Sequence, residues 1–301
     1  MSRRSAGIAL AFVTACISGV SIYLNGRAVK HFGDATVYTT AKNLVAAAVL
    51  VAVALVAARR GPGTAAAPVS RRQWLQLLAV GVIGGSVPFV LFFEGLARAE
   101  ATQAAFIQKT LVIWVALLAV PLLKERLGAL QYVAIGLLVL GQAWLVGSAG
   151  TIAFGEGEAM ILGATLLWAV EVVYVKHLIG PLSPRLLAAA RMGFGSAILI
   201  AWVAVSGKWG GLTGLDAAQW RWILLTGLLL TAYVATWYEA LARAQAVDVT
   251  AVLVFGAVVT AILAGAIDGA AVSVAGTIAI AAGTGIVAYL AIRPREPAAV
   301  T

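Results

Sequence analysis

Apolar residues form long, nearly unbroken runs along this chain, and short polar segments interrupt them. Between Ser5 and Ile292, almost any window of about 20 residues is dominated by Ala, Val, Leu, Ile and Gly. A helix of that length crosses a hydrocarbon layer ~30 Å thick. Transmembrane barrels instead show alternating segments of about ten residues, and the sequence has no such pattern. The runs therefore predict membrane-spanning helices.

Polar segments rich in Gly, Pro and charge separate these runs, as expected of loops. Nine such segments, among them "NGRAVKHFGD", "LKERLG" and "KHLIGPLSPR", divide the chain into ten predicted helices. We number these helices 1 to 10, and their predicted spans are 6–26, 35–58, 74–96, 101–122, 128–147, 157–177, 184–206, 218–241, 246–267 and 272–292. The predicted fold class is an all-α integral membrane protein.

A charged phrase occurs twice in this apolar sequence. "FEGLARA" at 93–99 recurs as "YEALARA" at 238–244, at the predicted ends of helices 3 and 8. The starts of the same two helices also match, with "QWLQLLAVG" at 73–81 and "QWRWILLTG" at 219–227. Within each phrase a Glu precedes an Arg by four residues, which is the spacing of an ion pair along one helix face. The recurrence indicates an internal duplication.

The duplication predicts two homologous repeats of five helices, residues 1–150 and 151–301. In the same register, Lys42 of helix 2 corresponds to Arg191 of helix 7. Because five is odd, the second repeat enters the membrane from the opposite side. Inverted repeats of this kind are typical of secondary transporters, whose substrate sites lie near the bilayer midplane between the halves.

Positive charge is distributed unequally between the two predicted faces. The face with the N-terminus carries Arg3, Arg4, Arg59, Arg60, Arg71, Arg72, Lys124, Arg126, Lys176, Arg185, Arg243, Arg293 and Arg295, and the other carries Arg27, Lys30, Arg98, Lys208 and Arg221. Cytoplasmic loops are enriched in Lys and Arg, so both termini are predicted to be cytoplasmic. The net charge of +9 is thus interpreted as an orientation signal, and no nucleic-acid partner is predicted. The predicted location is a bacterial inner (plasma) membrane, crossed many times.

Sequence signals for catalysis are missing. There is no Walker A sequence, HExxH motif or Ser-His-Asp candidate, and Cys16 is the single cysteine. His31 and His177 lack the spacing of metal ligands. We therefore predict no enzyme activity, no cofactor and no metal.

The stretch "FEGLARAEATQAAFIQKTLVIWVALLAVPLLKERLGALQYVAIGLLVLG" (93–141) resembles the drug/metabolite transporter superfamily, EamA type. It matches that family's aromatic and Ala-Leu run, hydrophobic helix, "lgErl" motif and Gly-containing last helix, and the resemblance extends over essentially the whole chain. It implies ten helices in two inverted repeats around a central cavity. Characterised members mostly move amino acids, other metabolites or drugs, often outward.

Two features depart from that family pattern. A Pro is frequent early in helix 4 of the family, where this chain has Val112, and its counterpart in the second repeat is also absent. The second "lgE" motif is reduced to "AIDGA", with Asp268 in place of the Glu. If the prolines shape gating helices in relatives, the gate of this chain works differently.

Lys109 and Glu171 are the ionisable residues within spans that the duplication does not explain. Their counterparts in the other repeat are Val254 and Ile22. Intramembrane charges need a partner or a cavity, and neither residue has an opposite charge one helical turn away within its span. We predict that both line a central cavity; the alternative is structural pairing with Lys42, Glu94 or Arg191.

Polar and aromatic neighbours extend the predicted substrate site. They lie on helix faces shared with the two charges, on a polar stripe of helix 1, or within spans where interfacial belts do not explain an aromatic. The predicted lining comprises Lys109, Glu171, Trp168, Gln108, Thr110, Lys42, Arg191, Trp114, Trp237, Ser18 and Ser21. For the helix 1 stripe the alternative is hydrogen bonding between helices. Gly81 with Gly85, and Gly265 with Gly269, are small-residue pairs that predict close helix packing.

These observations predict a secondary transporter of small amphipathic organic solutes, best assigned to amino acids or related metabolites, working by alternating access. Lys109 is suited to hold a carboxylate, and Glu171 with the ring of Trp168 to hold an ammonium. The predicted partners are a small-molecule substrate and the lipid bilayer, in a monomer or homodimer. Glu171 is the candidate group for proton coupling, and the alternative is an uncoupled facilitator. The alternatives are a flippase for lipids or lipid-linked sugars, and a structural or sensory membrane protein without flux.

Overall fold

A computed structural model of the chain describes residues 2–59, 70–147 and 154–292, and these residues form helices and short connections without a strand. Counting interrupted helices once, the ten helices are Arg3–Ala28, Ala35–Arg59, Arg71–Arg98, 101–122, Ala129–Gly147, Glu156–Leu178, Pro184–Val205, Ala217–Leu241, Ala246–Asp268 and Val274–Ile292. A short helix, Trp209–Thr213, lies between helices 7 and 8. The boundary predicted at residue 150 and the positions of Arg60, Arg293 and Arg295 fall outside the described residues.

Helix length and composition agree with a membrane protein. In the described part of the chain nine helices are long and apolar enough to cross a bilayer, and helix 5 is apolar over Ala129–Leu145. The Arg4 guanidinium donates to the carbonyl of Leu290 at 2.9 Å, so the start of helix 1 and the end of helix 10 lie at one face. We call this the N-terminal face. The predicted fold class is confirmed.

Helices 4 and 9 are each interrupted near their middle. Helix 4 consists of Ala101–Lys109 and Leu111–Leu122, and helix 9 of Ala246–Leu253 and Phe255–Asp268. The interruptions at Thr110 and Val254 lie within one residue of equivalent positions in the two repeats, and neither position is a proline. The absence of the family's prolines therefore does not make these helices continuous. Broken helices at membrane depth are typical of transporter binding sites.

Helix 3 contains a wider turn, the π-helical segment Gly81–Ser86. Pro88 follows it and has no N–H to donate to the carbonyl of Gly84, four residues earlier. Freed backbone groups in a membrane must find other partners. The carbonyl of Gly84 finds two side chains, described below.

The two predicted glycine pairs have different outcomes. A Cβ added to Gly85 would lie 2.0 Å from the backbone oxygen of Arg191, so helices 3 and 7 are in backbone contact as predicted. Gly269 instead has a φ of 69° and ends helix 9 in the left-handed conformation, with nothing near an added Cβ. The prediction of a packing role for Gly269 was wrong, because this glycine terminates the helix.

Two Arg–Asp pairs join helix 1 to helix 9 at opposite ends. Arg4 Nη2 lies 2.8 Å from Asp248 Oδ2, and Asp248 is buried. Gln131 Nε2 donates to the other oxygen of Asp248 at 2.6 Å. At the other face, Arg27 pairs with Asp268, and both side chains are about 40% exposed. Helices 1 and 9 are thus joined by a largely buried ion pair at the N-terminal face and by a solvated pair at the opposite face.

We expect Asp248→Ala to destabilise the protein by about 3 kcal/mol, because it removes the acceptor of a largely buried guanidinium and of the Gln131 amide. Asp268→Ala is the matched control and should cost less than about 1 kcal/mol, because its pair is solvated. Thermal unfolding of the detergent-solubilised variants, followed by tryptophan fluorescence, measures both. Equal decreases in melting temperature would contradict this difference.

Asp34 caps the start of helix 2 and makes a pH-dependent contribution to the stability of the fold. Its carboxylate accepts the N–H groups of Thr36 and Val37 at 2.8 and 3.0 Å, and Lys208 Nζ lies 2.5 Å away. Partial burial raises the pKa of Asp34, but the hydrogen bonds from Lys208 and the two N–H groups outweigh it, so the pKa lies below its ordinary value.

A carboxyl with a lowered pKa stabilises the folded state above its unfolded pKa of about 4, and this contribution is lost as the pH falls through the lowered pKa. Between about pH 5 and pH 3, we therefore expect the melting temperature of the wild type to fall further than that of Asp34→Asn. The difference should be a few degrees at most, because the pair is partly exposed. Identical acid sensitivity of the two proteins would exclude this role for Asp34.

Candidate functional site

A small closed cavity lies between the two repeats, beside the interruptions of helices 4 and 9. Its volume is about 10 Å³, which is room for about one water molecule. The lining residues are Gln108, Leu111, Trp168, Glu171, Val172, Arg191, Tyr233, Trp237 and Leu253. The cavity thus contains five of the predicted lining residues, namely Gln108, Trp168, Glu171, Arg191 and Trp237. In this closed state it is too small for an organic solute.

Glu171 and Arg191 form a buried ion pair at the cavity wall. Arg191 Nη1 lies 3.8 Å from Glu171 Oε2, and both side chains are almost fully buried. The hydroxyl of Tyr238 donates to the other carboxylate oxygen at 2.5 Å. Glu171 therefore lines the cavity, as predicted, and also forms the ion pair with Arg191 that was the structural alternative. A solute ammonium gains access to Glu171 only after these contacts open.

The free carbonyl of Gly84 holds two cavity residues in position. It accepts hydrogen bonds from Trp168 Nε1 and from Arg191 Nε, each at 3.1 Å. Gly84 also packs directly on Glu171, because an added Cβ would lie 2.8 Å from Glu171 Cγ. The π-helical segment and Pro88 thereby orient side chains of helices 6 and 7.

Lys109 lies directly behind the cavity wall, at the end of the first segment of helix 4. Its ammonium donates to Ser18 Oγ at 2.7 Å and to Gln108 Oε1 at 2.8 Å. Both acceptors are neutral, and no carboxylate lies within ion-pair distance of this lysine among the described residues. Lys109 is the last residue of the first segment of helix 4, and the second segment begins two residues later, at Leu111. The surroundings of Lys109 are suited to an anion.

Lys42 is buried in a second polar cluster, between helices 1 and 2. Its ammonium donates to Asn25 Oδ1 at 3.1 Å and lies 3.5 Å from the centroid of the Phe93 ring. Asn25 in turn accepts from the hydroxyl of Tyr38 and donates to Ser21 Oγ at 2.9 Å. The polar stripe of helix 1 therefore makes hydrogen bonds to other helices, as its alternative interpretation predicted. Its partners in these bonds are the buried lysines Lys42 and Lys109.

Lys42 and Arg191 approach one aromatic ring from the two repeats. The centroid of the Phe89 ring is 5.8 Å from Lys42 Nζ and 5.7 Å from Arg191 Cζ. The duplication makes Lys42 and Arg191 equivalent residues, and in the structure both lie beside the same ring near the centre of the bundle.

The remaining predicted residues lie close by. Trp237 is buried and stacks on Tyr233, with ring centroids 6.0 Å apart. Trp114 donates to Thr110 Oγ1 at 3.2 Å, so both mark the interruption of helix 4 and do not line the cavity. Among the described residues the structure brings the predicted set to one region but divides it between the cavity and the clusters behind it.

The predicted site omitted Gly84, Tyr233 and Tyr238, and it also omitted three apolar lining residues, Leu111, Val172 and Leu253. Tyr238 opens the repeated phrase "YEALARA", and the departure from Phe93 in the first copy was the available signal. Pro88, four residues after Gly84, was the signal for a free carbonyl. Nothing in the local sequence distinguishes Tyr233 from an ordinary packing residue.

An open cavity of about 1080 Å³ lies at the N-terminal face. Its charged lining is mostly basic, with Arg3, Arg4, Lys176 and Arg243 against Glu239. Lys176 belongs to helix 6, between this opening and the inner cavity, and donates to the carbonyls of Leu241 and Ala244 at the end of helix 8. We call this opening the basic vestibule.

In the part of the chain that the structure describes, nine spanning helices and one shorter apolar helix, two of them interrupted beside a polar cavity, have the architecture of a multi-pass membrane transporter. The chain belongs to the EamA-like transporter family, whose model matches residues 5–147 and again residues 155–291. The resemblance inferred from the sequence is thereby confirmed, and the double match shows the two-repeat architecture. Membership of this family indicates that the chain is a membrane transporter of small solutes.

Two individual comparisons agree with this assignment. The chain is 26% identical over 121 residues to an uncharacterized transporter of Methanothermobacter thermautotrophicus, a match that covers 38% of this chain and 35% of that protein. The aligned region is thus about a third of the relative's length. A solved crystal structure of a protein shares the fold, with a TM-score of 0.74 and 17% identity, over 95% of this chain and 99% of that one.

Proposed function

We propose that this chain moves small amphipathic metabolites that bear a carboxylate, with amino acids as the leading class, by alternating access between its two repeats. The observation that supports this most is the closed cavity between the repeats. Its wall carries Gln108, Trp168 and Glu171, and the Lys109 ammonium is hydrogen bonded to Gln108 from behind. Acidic, basic and aromatic groups at one point suit a solute with both charges.

The solute carboxylate takes the place of the Gln108 amide at the Lys109 ammonium. A carboxylate is the stronger acceptor, because both partners of the hydrogen bond are then charged. The solute ammonium is held by Glu171 and the face of Trp168 once Arg191 has moved away from the carboxylate. Space for the solute requires movement of helices 4 and 9, and their interruptions at Thr110 and Val254 are the natural hinges.

We place the protein in a bacterial inner membrane, with both termini in the cytoplasm and repeats bounded near residue 150. In this orientation the basic vestibule is the entrance for a solute that is exported. One chain contains both repeats, so a monomer already has a complete path, and a homodimer would have two. Proton coupling through Glu171 is testable, because a pH gradient that drives flux in the wild type should no longer do so in Glu171→Gln.

Counterflow in liposomes tests this function. Vesicles loaded with one unlabelled amino acid should accumulate the same amino acid in labelled form, and vesicles without protein should not. The panel includes acidic, neutral and basic amino acids and a fluorescent phospholipid. Counterflow of no amino acid would refute the proposed substrate class. Movement of the phospholipid between leaflets without amino acid flux would favour the flippase alternative.

A further inference from the structure

Positive charge exceeds negative charge in the centre of the helix bundle. Among the described residues the buried ionisable groups there are Lys42, Lys109, Arg191 and Glu171, with exposures of 1–3%. Glu171 already has two partners, Arg191 and the hydroxyl of Tyr238. Two ammonium groups are therefore left without an anion.

The acceptors of these two lysines are all neutral. Lys109 donates to a hydroxyl and an amide oxygen, and Lys42 to one amide oxygen beside an aromatic ring. A buried charge is stable only when it is well paired. The closed protein is thus incompletely compensated, and a bound anion would supply what is missing.

Next to Lys42, two further polar side chains lack partners. Thr39 and Asn43 lie one turn apart on helix 2, both with 0% exposure, and neither the Thr39 hydroxyl nor the Asn43 amide has a hydrogen-bond partner in the described part of the chain. Buried polar groups are nearly always hydrogen bonded, and an exception needs an explanation such as a ligand or water. A polar group of a bound solute close to Lys42 would explain why Thr39 and Asn43 lack partners.

One face of helix 1 connects the two lysines. Ser18 accepts from Lys109 and Asn25 accepts from Lys42, seven residues apart, which is about 10 Å along a helix. Ser21 lies between them and accepts from the Asn25 amide. The two lysine side chains are therefore held by polar residues of one face of helix 1.

We propose that the preferred solute is a small carboxylic acid with two carboxylates, such as an acidic amino acid, and not a neutral zwitterion. This inference rests on the proposed function. A solute with one carboxylate compensates Lys109 and leaves Lys42 as it is, whereas a second carboxylate compensates both lysines. The basic vestibule supports the same preference, because a cleft with one sign of charge concentrates solutes of the opposite sign.

Glutamate and glutamine distinguish the two cases, because they have nearly the same shape and differ in one carboxylate. We expect glutamate counterflow in liposomes to exceed glutamine counterflow by about tenfold or more, as expected for one charge-assisted hydrogen bond. Succinate and its monoamide form a second pair without an ammonium group and should show the same order. These comparisons use the wild-type protein, so folding of a variant does not affect them.

The variant Lys42→Met tests whether Lys42 is responsible for the preference for a second carboxylate. It should bring the ratio of glutamate to glutamine flux close to one while glutamine flux persists, and Lys30→Met, an exposed control, should leave the ratio unchanged. Glutamine flux equal to or above glutamate flux in the wild type would overturn the dicarboxylate proposal and leave the proposed function standing. Flux of no amino acid would instead overturn the proposed function, and this inference with it.

Discussion

Replacement of Lys109 by methionine should reduce amino acid counterflow by on the order of a hundredfold while the protein still folds. The ammonium is the proposed carboxylate partner, and a charge-assisted hydrogen bond contributes about 1.5–3 kcal/mol. Methionine has a similar length and is compatible with the surrounding apolar helices. Counterflow of the labelled solute at equal protein content per liposome measures the change.

Lys30→Met is the matched control, because Lys30 is exposed at the opposite face from the N-terminus. It should leave flux unchanged. Size-exclusion profiles and melting temperatures of both variants separate loss of binding from loss of structure. A Lys109→Met protein that is folded and transports normally would show that Lys109 has a structural role and that the site is elsewhere.

Gly85→Ala should be among the most destabilising single substitutions in the chain, by about 3 kcal/mol or more. The added Cβ would lie 2.0 Å from the Arg191 oxygen and 3.1 Å from Gly195 Cα, so helices 3 and 7 would have to separate. Overpacking of this kind costs about 1–3 kcal/mol and sometimes more. The separation would also displace Arg191 from the Gly84 carbonyl.

Gly136→Ala is the control for this substitution, because nothing lies within 4 Å of a Cβ at that position of helix 5. It should be neutral or slightly stabilising, since Ala is the better helix former. Melting temperatures of both purified variants measure the difference. Equal melting temperatures would contradict the close backbone contact between helices 3 and 7.

The helices and their number were predictable because a bilayer requires about 20 apolar residues for each crossing. The duplication was readable from "FEGLARA" and "YEALARA", and both Glu–Arg pairs form along their helices as the spacing predicts. The register of the repeats then directed attention to Lys109 and Glu171. The structure places one at the cavity wall and the other behind it.

The sequence could not supply how the helices face one another. Glu171, Arg191 and Tyr238 meet from helices 6, 7 and 8, and the tilt and rotation of each helix depend on packing with its neighbours. Hydropathy is nearly uniform around these helices and contains little of that information. The donors to the Gly84 carbonyl were hidden for a related reason. Pro88 marks a free carbonyl, but the side chains that reach it, Trp168 and Arg191, depend on how helices 6 and 7 pack against helix 3.

Solute protection of a cysteine in the cavity tests the central claim, that the solute passes between the two repeats at the interruption of helix 4. Leu111→Cys, in a Cys16→Ser background, places a single thiol in the cavity wall. A membrane-permeant maleimide should label this thiol several-fold more slowly at a saturating concentration of the transported amino acid. The same solute should not affect Leu117→Cys, at a 60% exposed position on the outside of the same helix. Labelling of Leu111→Cys that is unchanged by a solute the variant still transports would contradict the account.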